Sequence, residues 1–264
     1  MFPIRGSMLA LSSHIYVVNS PTELFRFNVK SNQWSTQALA WSVDTESNSR
    51  VSQTQADIPI TSVDYSSCSD GHSIYVIRND KQVLSILAID VQHETIRCVA
   101  ELFLKSVSLE SCCMIGQHLF FLVHTEQGDH TLCAFDLVKQ CLVQDINNLN
   151  SNSSTGSSSM GLGATGVGFG NNINTSIGRQ QPRNYRMLAH NSECIYFLNQ
   201  SQPFFGVQRE SKFFAYSIED NSWLSLPEPK NSKILHCFRL TSCLYCIGED
   251  YAIEVFDTTR NQWY

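Results

Sequence analysis

Leu244-Tyr245-Cys246-Ile247-Gly248, a polar turn, and then Ile253-Glu254-Val255-Phe256-Asp257-Thr258-Thr259-Arg260-Asn261-Gln262-Trp263-Tyr264 form the stretch that decides the fold. Two short runs rich in aliphatic, β-branched and aromatic residues, separated by a Gly-containing turn, predict consecutive antiparallel strands rather than a helix. Asp257 suits the next turn because its carboxylate accepts hydrogen bonds from backbone N–H groups two or three residues on. Asn261 suits it because asparagine tolerates a left-handed backbone. Trp263 would then open a further strand.

The same pattern occurs four more times, and recurrence of one pattern every few tens of residues is the signature of a repeat architecture. The first run recurs as Ile15-Tyr16-Val17-Val18, Ile74-Tyr75-Val76-Ile77, Leu119-Phe120-Phe121-Leu122 and Ile195-Tyr196-Phe197-Leu198. The second recurs as Leu24 to Asn28, Ile86 to Asp90, Leu132 to Asp136 and Phe213 to Ser217. In every copy the turn residue (Asn28, Asp90, Asp136, Ser217, Asp257) is followed six positions later by a large apolar one: Trp34, Ile96, Leu142, Trp223 or Trp263. A lead strand precedes each first run, at Met8–Leu11, Val63–Cys68, Ser108–Met114, Tyr185–Ala189 and Ile234–Leu240. Each copy is thus four strands, with repeats at approximately 6–40, 60–104, 107–146, 185–228 and 233–264.

Four-stranded antiparallel units repeated in sequence predict an all-β chain folded as a β-propeller, in which sheets pack face to face. Burial on both faces explains apolar residues at consecutive positions instead of clean alternation. Residues 147–181 break the pattern. They are dominated by Asn, Ser, Gly and Thr, cannot bury enough surface to offset their ordering entropy, and predict a disordered insertion. A milder polar stretch, Asp44 to Asp57, links the first two repeats.

The chain has 264 residues, 42% hydrophobic and 16% charged, enough for one large all-β domain. A formal charge of -6 without clustered Lys and Arg argues against nucleic acid. No apolar run is long enough to span a bilayer as a helix and no signal segment opens the sequence, so a cytoplasmic protein without a membrane partner is expected. The ten cysteines are scattered through strand-like runs and are expected to be reduced, structural thiols. Cys243-x-x-Cys246 is the one pair at redox or zinc spacing, but residues three apart on a strand face opposite ways.

The closing repeat, with its aromatic first run and its Asp257-to-Trp263 turn, resembles a Kelch repeat. Met1-Phe2-Pro3-Ile4-Arg5 resembles the Met-Pro-x-x-Arg link between Kelch blades. The resemblance covers the chain apart from the polar inserts. It departs from the Kelch pattern where the second strand usually ends in Gly-Gly: only Gly248 survives, opposite Val18-Asn19, Arg78-Asn79, Val123-His124 and Asn199-Gln200 in the other copies. The resemblance implies that the aromatic after the turn wedges between blades, and that the chain is a fragment of a six-bladed propeller. On that reading the chain begins inside an inter-blade link and stops where the outermost strand of its last, truncated repeat should start.

In a Kelch propeller the loops from second to third strand emerge on one face with the inter-blade links. The resemblance therefore implies a protein-binding face carrying Arg78, Asp80, Lys81, His124, Glu126, His130, Phe204, Phe205, Arg209, Glu249, Asp250, Tyr251 and Arg186, with Arg5, Trp41, Arg183 and Tyr185 nearby. Kelch proteins that also carry a BTB domain are substrate-recognition adaptors of cullin-3 ubiquitin ligases. The expected role is the recognition half of such an adaptor, its partner a ubiquitylation substrate and cullin-3 reached only through a BTB region that these residues do not contain. A Kelch scaffold binding actin or another cytoskeletal protein is the alternative of the same fold. A copper-oxidase-like propeller is the alternative of another class. It would need converging His, Tyr and Cys ligands, whereas His72 and His118 fall at equivalent turns and His124 and His130, which flank one hairpin, have no evident third ligand. No enzyme activity, cofactor or metal is expected.

Overall fold

The computed structural model describes residues 8–20, 23–42, 64–80, 83–103, 107–125, 130–143, 185–199, 212–230 and 234–264. The predicted insertion at 147–181 and the polar link at 44–57 lie outside these residues. All the regular structure described is strand, and no helix in it is long and apolar enough to cross a membrane.

The fold is a β-propeller of five antiparallel four-stranded blades. Blade one is β1 (Met8–Leu11), β2 (His14–Ser20), β3 (Glu23–Asn28) and β4 (Gln33–Ala38), and the short β5 (Ala40–Trp41) follows it. Blade two is β6 (Asp64–Ser69), β7 (Ser73–Asp80), β8 (Val83–Asp90) and β9 (Thr95–Phe103). Blade three is β10 (Val107–Ile115), β11 (His118–Thr125), β12 (His130–Asp136) and β13 (Cys141–Leu142). Blade four is β14 (Tyr185–His190), β15 (Cys194–Asn199), β16 (Lys212–Ser217) and β17 (Ser222–Leu226). Blade five is β18 (Ile234–Leu240), β19 (Cys243–Gly248), β20 (Ile253–Asp257) and β21 (Gln262–Trp263). Within each blade the four strands lie side by side in chain order, and β5 joins the blade-two sheet at its β9 edge.

The turn between third and fourth strands is the same device in all five blades. The side-chain oxygen of Asn28 accepts from the N–H groups of Lys30 and Ser31 at 2.9 and 3.1 Å. Asp90 takes Gln92 and His93, both at 2.9 Å, and Asp136 takes Val138 and Lys139 at the same distance. Asp257 takes Thr259 and Arg260 at 2.9 and 3.2 Å, while the Ser217 hydroxyl accepts only from Asp220, at 3.3 Å. Four residues after each of these positions the backbone is left-handed: Asn32 (φ 55°), Glu94 (57°), Gln140 (51°), Asn221 (51°) and Asn261 (56°). Asparagine enters this region readily, but glutamate and glutamine do so at a cost.

The chain divides into two compact units, one built on residues 1–124 with 135–141 and the other on 170–264 with 125–134. In the first, blades one and two meet over Tyr16, Val18, Leu24, Ile74, Val76, Leu87, Ile89 and the fully buried Ile96. Leu39 and Trp41 complete that core. The Tyr65 hydroxyl donates to the Val18 carbonyl at 3.2 Å and the Gln37 amide to the Val91 carbonyl at 3.3 Å, tying the same two blades. In the second unit, blades four and five meet over Tyr196, Leu198, Phe213, Ala215, Ile234, Leu244, Cys246 and Phe256.

Several expectations need correcting. Trp41 is not in a loop at the binding face: it lies on β5, which adds a parallel fifth strand to blade two with Trp41 paired to Ile96. Its backbone is held there because Ala40 donates to the Glu94 carbonyl and Ser42 to the Ile96 carbonyl, each at 2.9 Å. The residue after the turn does not wedge between blades in every copy. Trp263 does, packing on Phe213 of blade four (5.2 Å between ring centroids) and on Phe256 (5.0 Å). Trp223 packs on Phe197 and Tyr216 of its own blade, and Trp34 rests on Phe27 with 53% of its surface exposed.

The last strand is also formed further than expected. Gln262 and Trp263 pair with Asp257 and Phe256, and Tyr264 exchanges hydrogen bonds of 2.8 and 3.2 Å with Val255. At the end of β19, Gly248 stays outside the left-handed region. The left-handed residue of its turn is Tyr251 (φ 62°), whose N–H donates to the Gly248 carbonyl at 3.0 Å.

Candidate functional site

In every sheet one end carries the connection from second to third strand together with the start of the first strand. Antiparallel pairing dictates this: Met8 lies opposite Val17, Asp64 opposite Asn79, Tyr185 opposite Asn199 and Ile234 opposite Gly248. Of the side chains expected to bind a partner, Arg78, Asp80, His124, His130, Arg186, Glu249, Asp250 and Tyr251 are described and fall at this end.

Arg78 and Asp80 close β7 and face each other at 3.8 Å, but the Arg78 side chain is almost wholly buried while Asp80 stays partly open. Arg78 thus contributes charge from within the wall of blade two. Beside it Asn79, also buried, donates its side-chain amide to the Val107 carbonyl at 2.6 Å and ties blade two to blade three. His124 and His130 stand at the end of β11 and the start of β12, both half-buried. Arg186 at the start of β14 directs its guanidinium to the Leu235 carbonyl at 3.0 Å, a bond from blade four to blade five. Lys81, Glu126, Phe204, Phe205 and Arg209, like Arg5 and Arg183, lie outside the described residues.

The turn from β19 to β20 is the fullest view of this end. Glu249 and Asp250 are exposed, and Asp250 accepts from the Ala252 N–H at 3.0 Å. Tyr251 is 81% exposed and Ile253 60% exposed. A large aromatic held in the left-handed region, where glycine or asparagine would sit at less cost, is a local strain of the kind that clusters at recognition sites. The chemistry offered is that of an anchor: an apolar ring with a polar hydroxyl, flanked by carboxylates.

The opposite end is chemically different. Asp136 is buried beneath the β12–β13 turn with the His118 imidazole and the Lys139 ammonium each 3.7 Å from its carboxylate. Burial raises the Asp136 pKa, but the N–H groups of Lys139 and Val138, with the nearby His118 and Lys139 side chains, outweigh it, and the carboxyl titrates below its ordinary value. Burial lowers the His118 pKa, with Asp136 opposing, and burial lowers that of His190 in blade four. These groups brace turns rather than face a ligand. Among the described residues no cluster of three or more His, Cys, Asp or Glu is disposed to hold a metal ion.

Reasoning from the sequence missed one pair. All ten cysteines are free thiols, but Cys237 and Cys246 are directly opposite on β18 and β19, with their sulfurs 3.2 Å apart. The signal was there: Leu240 and Cys243 flank a two-residue turn, and counting outward from it places Cys237 against Cys246. Cys243, by contrast, pairs with Leu240 and Asp257 and not with Cys246.

Compared with known proteins, the sequence matches no family model and no curated protein. Its fold is similar to solved structures. One is described as a nidogen/laminin complex, with a TM-score of 0.54 at 10% identity over 95% of this chain and 76% of that one. Another is an oligogalacturonate lyase in complex with manganese, at TM-score 0.52 and 8% identity, over 96% of this chain and 62% of that one. A third, BamB from Moraxella catarrhalis, reaches TM-score 0.44 at 9% identity and spans 99% of this chain and 60% of that one. At such identities the first two speak for the propeller fold alone.

Proposed function

We propose that this chain is a protein-recognition propeller that binds its partner with the strand-two-to-strand-three end of its blades. The observation that carries the reading is the Gly248–Ile253 turn, where Tyr251 stands 81% exposed in a left-handed backbone beside Glu249 and Asp250. An exposed aromatic with few rotatable bonds gains contact area on binding at little entropic cost, and such residues dominate the affinity of protein interfaces. A propeller suits this use because rigid sheets hold the variable connections in place.

The finer reading rests on the Kelch-like repeats. We read the chain as the recognition half of a cullin-3 ubiquitin ligase adaptor, acting in the cytoplasm without catalysis or cofactor of its own. Cullin-3 would be engaged through a BTB region and not through these blades. The test is affinity capture with the full-length protein from reduced cytosolic extract, wild type against Tyr251→Ala. The expected result is recovery of a substrate protein that the variant loses, with cullin-3 retained by both. Replacing an anchor aromatic typically costs ~2 kcal/mol of binding, about a thirtyfold fall in affinity. Equal recovery of the substrate by both forms would remove Tyr251 from the interface. Recovery of a substrate without cullin-3 would leave a recognition scaffold with no ubiquitin role.

A further inference from the structure

Blade five holds a feature that partner recognition does not use. Cys237 of β18 and Cys246 of β19 are paired across the sheet, and the Cys246 thiol donates to the Cys237 sulfur at 3.2 Å. At that separation a sulfur–sulfur bond needs a small side-chain adjustment, because directly opposed strand residues hold their Cβ atoms within the reach of a disulfide.

The two thiols differ in access. Cys246 is buried in the core between blades four and five, whereas Cys237 is half-buried at its rim, on the edge strand of its sheet. Arg186 of β14 lies close by, its guanidinium anchored on the Leu235 carbonyl at 3.0 Å. The hydrogen bond from Cys246 favours the Cys237 thiolate, and the Arg186 charge adds to it. Together they outweigh burial and draw the Cys237 pKa below its ordinary value. The Cys246 pKa moves up, because it holds the shared proton. Burial pushes Cys98 and Cys133 up to about 11 and about 12, leaving those thiols inert.

We propose that Cys237 and Cys246 are an oxidant-modified dithiol site, in which Cys237 is the attacking sulfur, Cys246 the resolving one, and the product a reversible cross-strand disulfide. With a hydroperoxide as oxidant the Cys237 thiolate attacks one peroxide oxygen, the O–O bond breaks, and the departing hydroxide takes up a proton to become water. Cys237 is then a sulfenic acid. The Cys246 sulfur attacks the Cys237 sulfur, the S–O bond breaks as the S–S bond forms, and the Cys246 proton leaves with the hydroxyl as a second water. Two thiols have given two electrons and two protons to one hydrogen peroxide. A small-molecule thiol reverses the change by exchange.

The test uses the whole chain, reduced, freed of reductant and exposed to hydrogen peroxide, then alkylated and digested with trypsin under non-reducing conditions. Arg239 lies between the two cysteines, so cleavage leaves residues 234–239 and 240–260 as separate peptides held together only by the new bond. The expected result is a linked pair that appears with oxidant, is lighter by two hydrogen atoms than the sum of its parts, and disappears on adding dithiothreitol. Cys243→Ser keeps the link; Cys246→Ser loses it. The wild-type map requires no variant to fold, and circular dichroism confirms that the variants do. The proposal is overturned if both cysteines remain fully alkylated, if Cys237 runs on to the sulfinic acid without a link, or if the link survives in Cys246→Ser and so belongs to Cys243.

Discussion

The interface between blades one and two and that between blades four and five solve one packing problem with different residues. At the position six residues after the turn, blade two has Ile96 and blade five has Trp263. The indole spans the gap itself, touching Phe213 and Phe256 and donating its N–H to the Pro227 carbonyl at 2.7 Å in the link that precedes blade five. Isoleucine is too short to do so. There the link supplies what the repeat lacks: Leu39 and Trp41 pack on the core, and β5 lays Trp41 alongside Ile96 as an extra parallel strand. What must be kept is the volume between two sheets, because interiors pack at crystal-like density and a void forfeits its contacts. Which segment fills that volume is free to vary.

The comparison can be broken most sharply in the aromatic core. Phe213 is fully buried and touches Tyr196, Phe256 and Trp263. Truncation to alanine should cost ~3–5 kcal/mol, read as a fall in the denaturant midpoint. Trp41→Ala probes the other interface. Trp41 is only half-buried, so the expected loss is smaller, about 1–3 kcal/mol. If Trp41→Ala cost nothing, the view that the link compensates for Ile96 would fail.

A third test uses pH, since each unit carries a histidine that burial keeps neutral: His118 in the first, His190 in the second. Their folded pKa values lie below 6.5, so the unfolded chain binds protons that the folded chain refuses. Their stabilisation is complete above pH 6.5 and is lost as the pH falls from there towards the folded pKa values. Thermal midpoints between pH 7.5 and 5 should therefore decline, and His118→Asn with His190→Asn should flatten the decline. Asp136 acts lower. Its depressed pKa gives stability that persists until the pH drops below 3.8 towards its folded value.

The smallest effect concerns the turns. Glu94 and Gln140 occupy left-handed positions that Asn32, Asn221 and Asn261 fill in the other blades. Glu94→Asn and Gln140→Asn should each stabilise by about 0.5–1 kcal/mol, seen as a raised thermal midpoint.

These turns also show how much could be read in advance. Asn28, Asp90, Asp136 and Asp257 declare themselves, because a short side-chain acceptor at the end of an apolar run has one good use, and the structure finds each on two backbone N–H groups. Glu94 and Gln140 do not, since neither residue type favours positive φ. Only their offset from the preceding aspartate betrays them. At the candidate binding end the sequence locates Arg78, Arg186 and Tyr251 but does not distinguish them. One is buried in its wall, one tied to a neighbouring carbonyl, and one projects into solvent. That difference depends on which blade stands beside each residue.

Local physics, repeated five times, determined the strands, their order and the turn chemistry, because hydrogen-bonded hairpins and side-chain-capped turns are settled by neighbours in sequence. Only the packing of blade against blade decided that Trp41 becomes a strand, that Trp34 stays exposed while Trp263 is wedged, and that Cys246 is buried with Cys237 at its rim. Those outcomes depend on the volume left between sheets by residues far apart in the chain, and no local pattern encodes it.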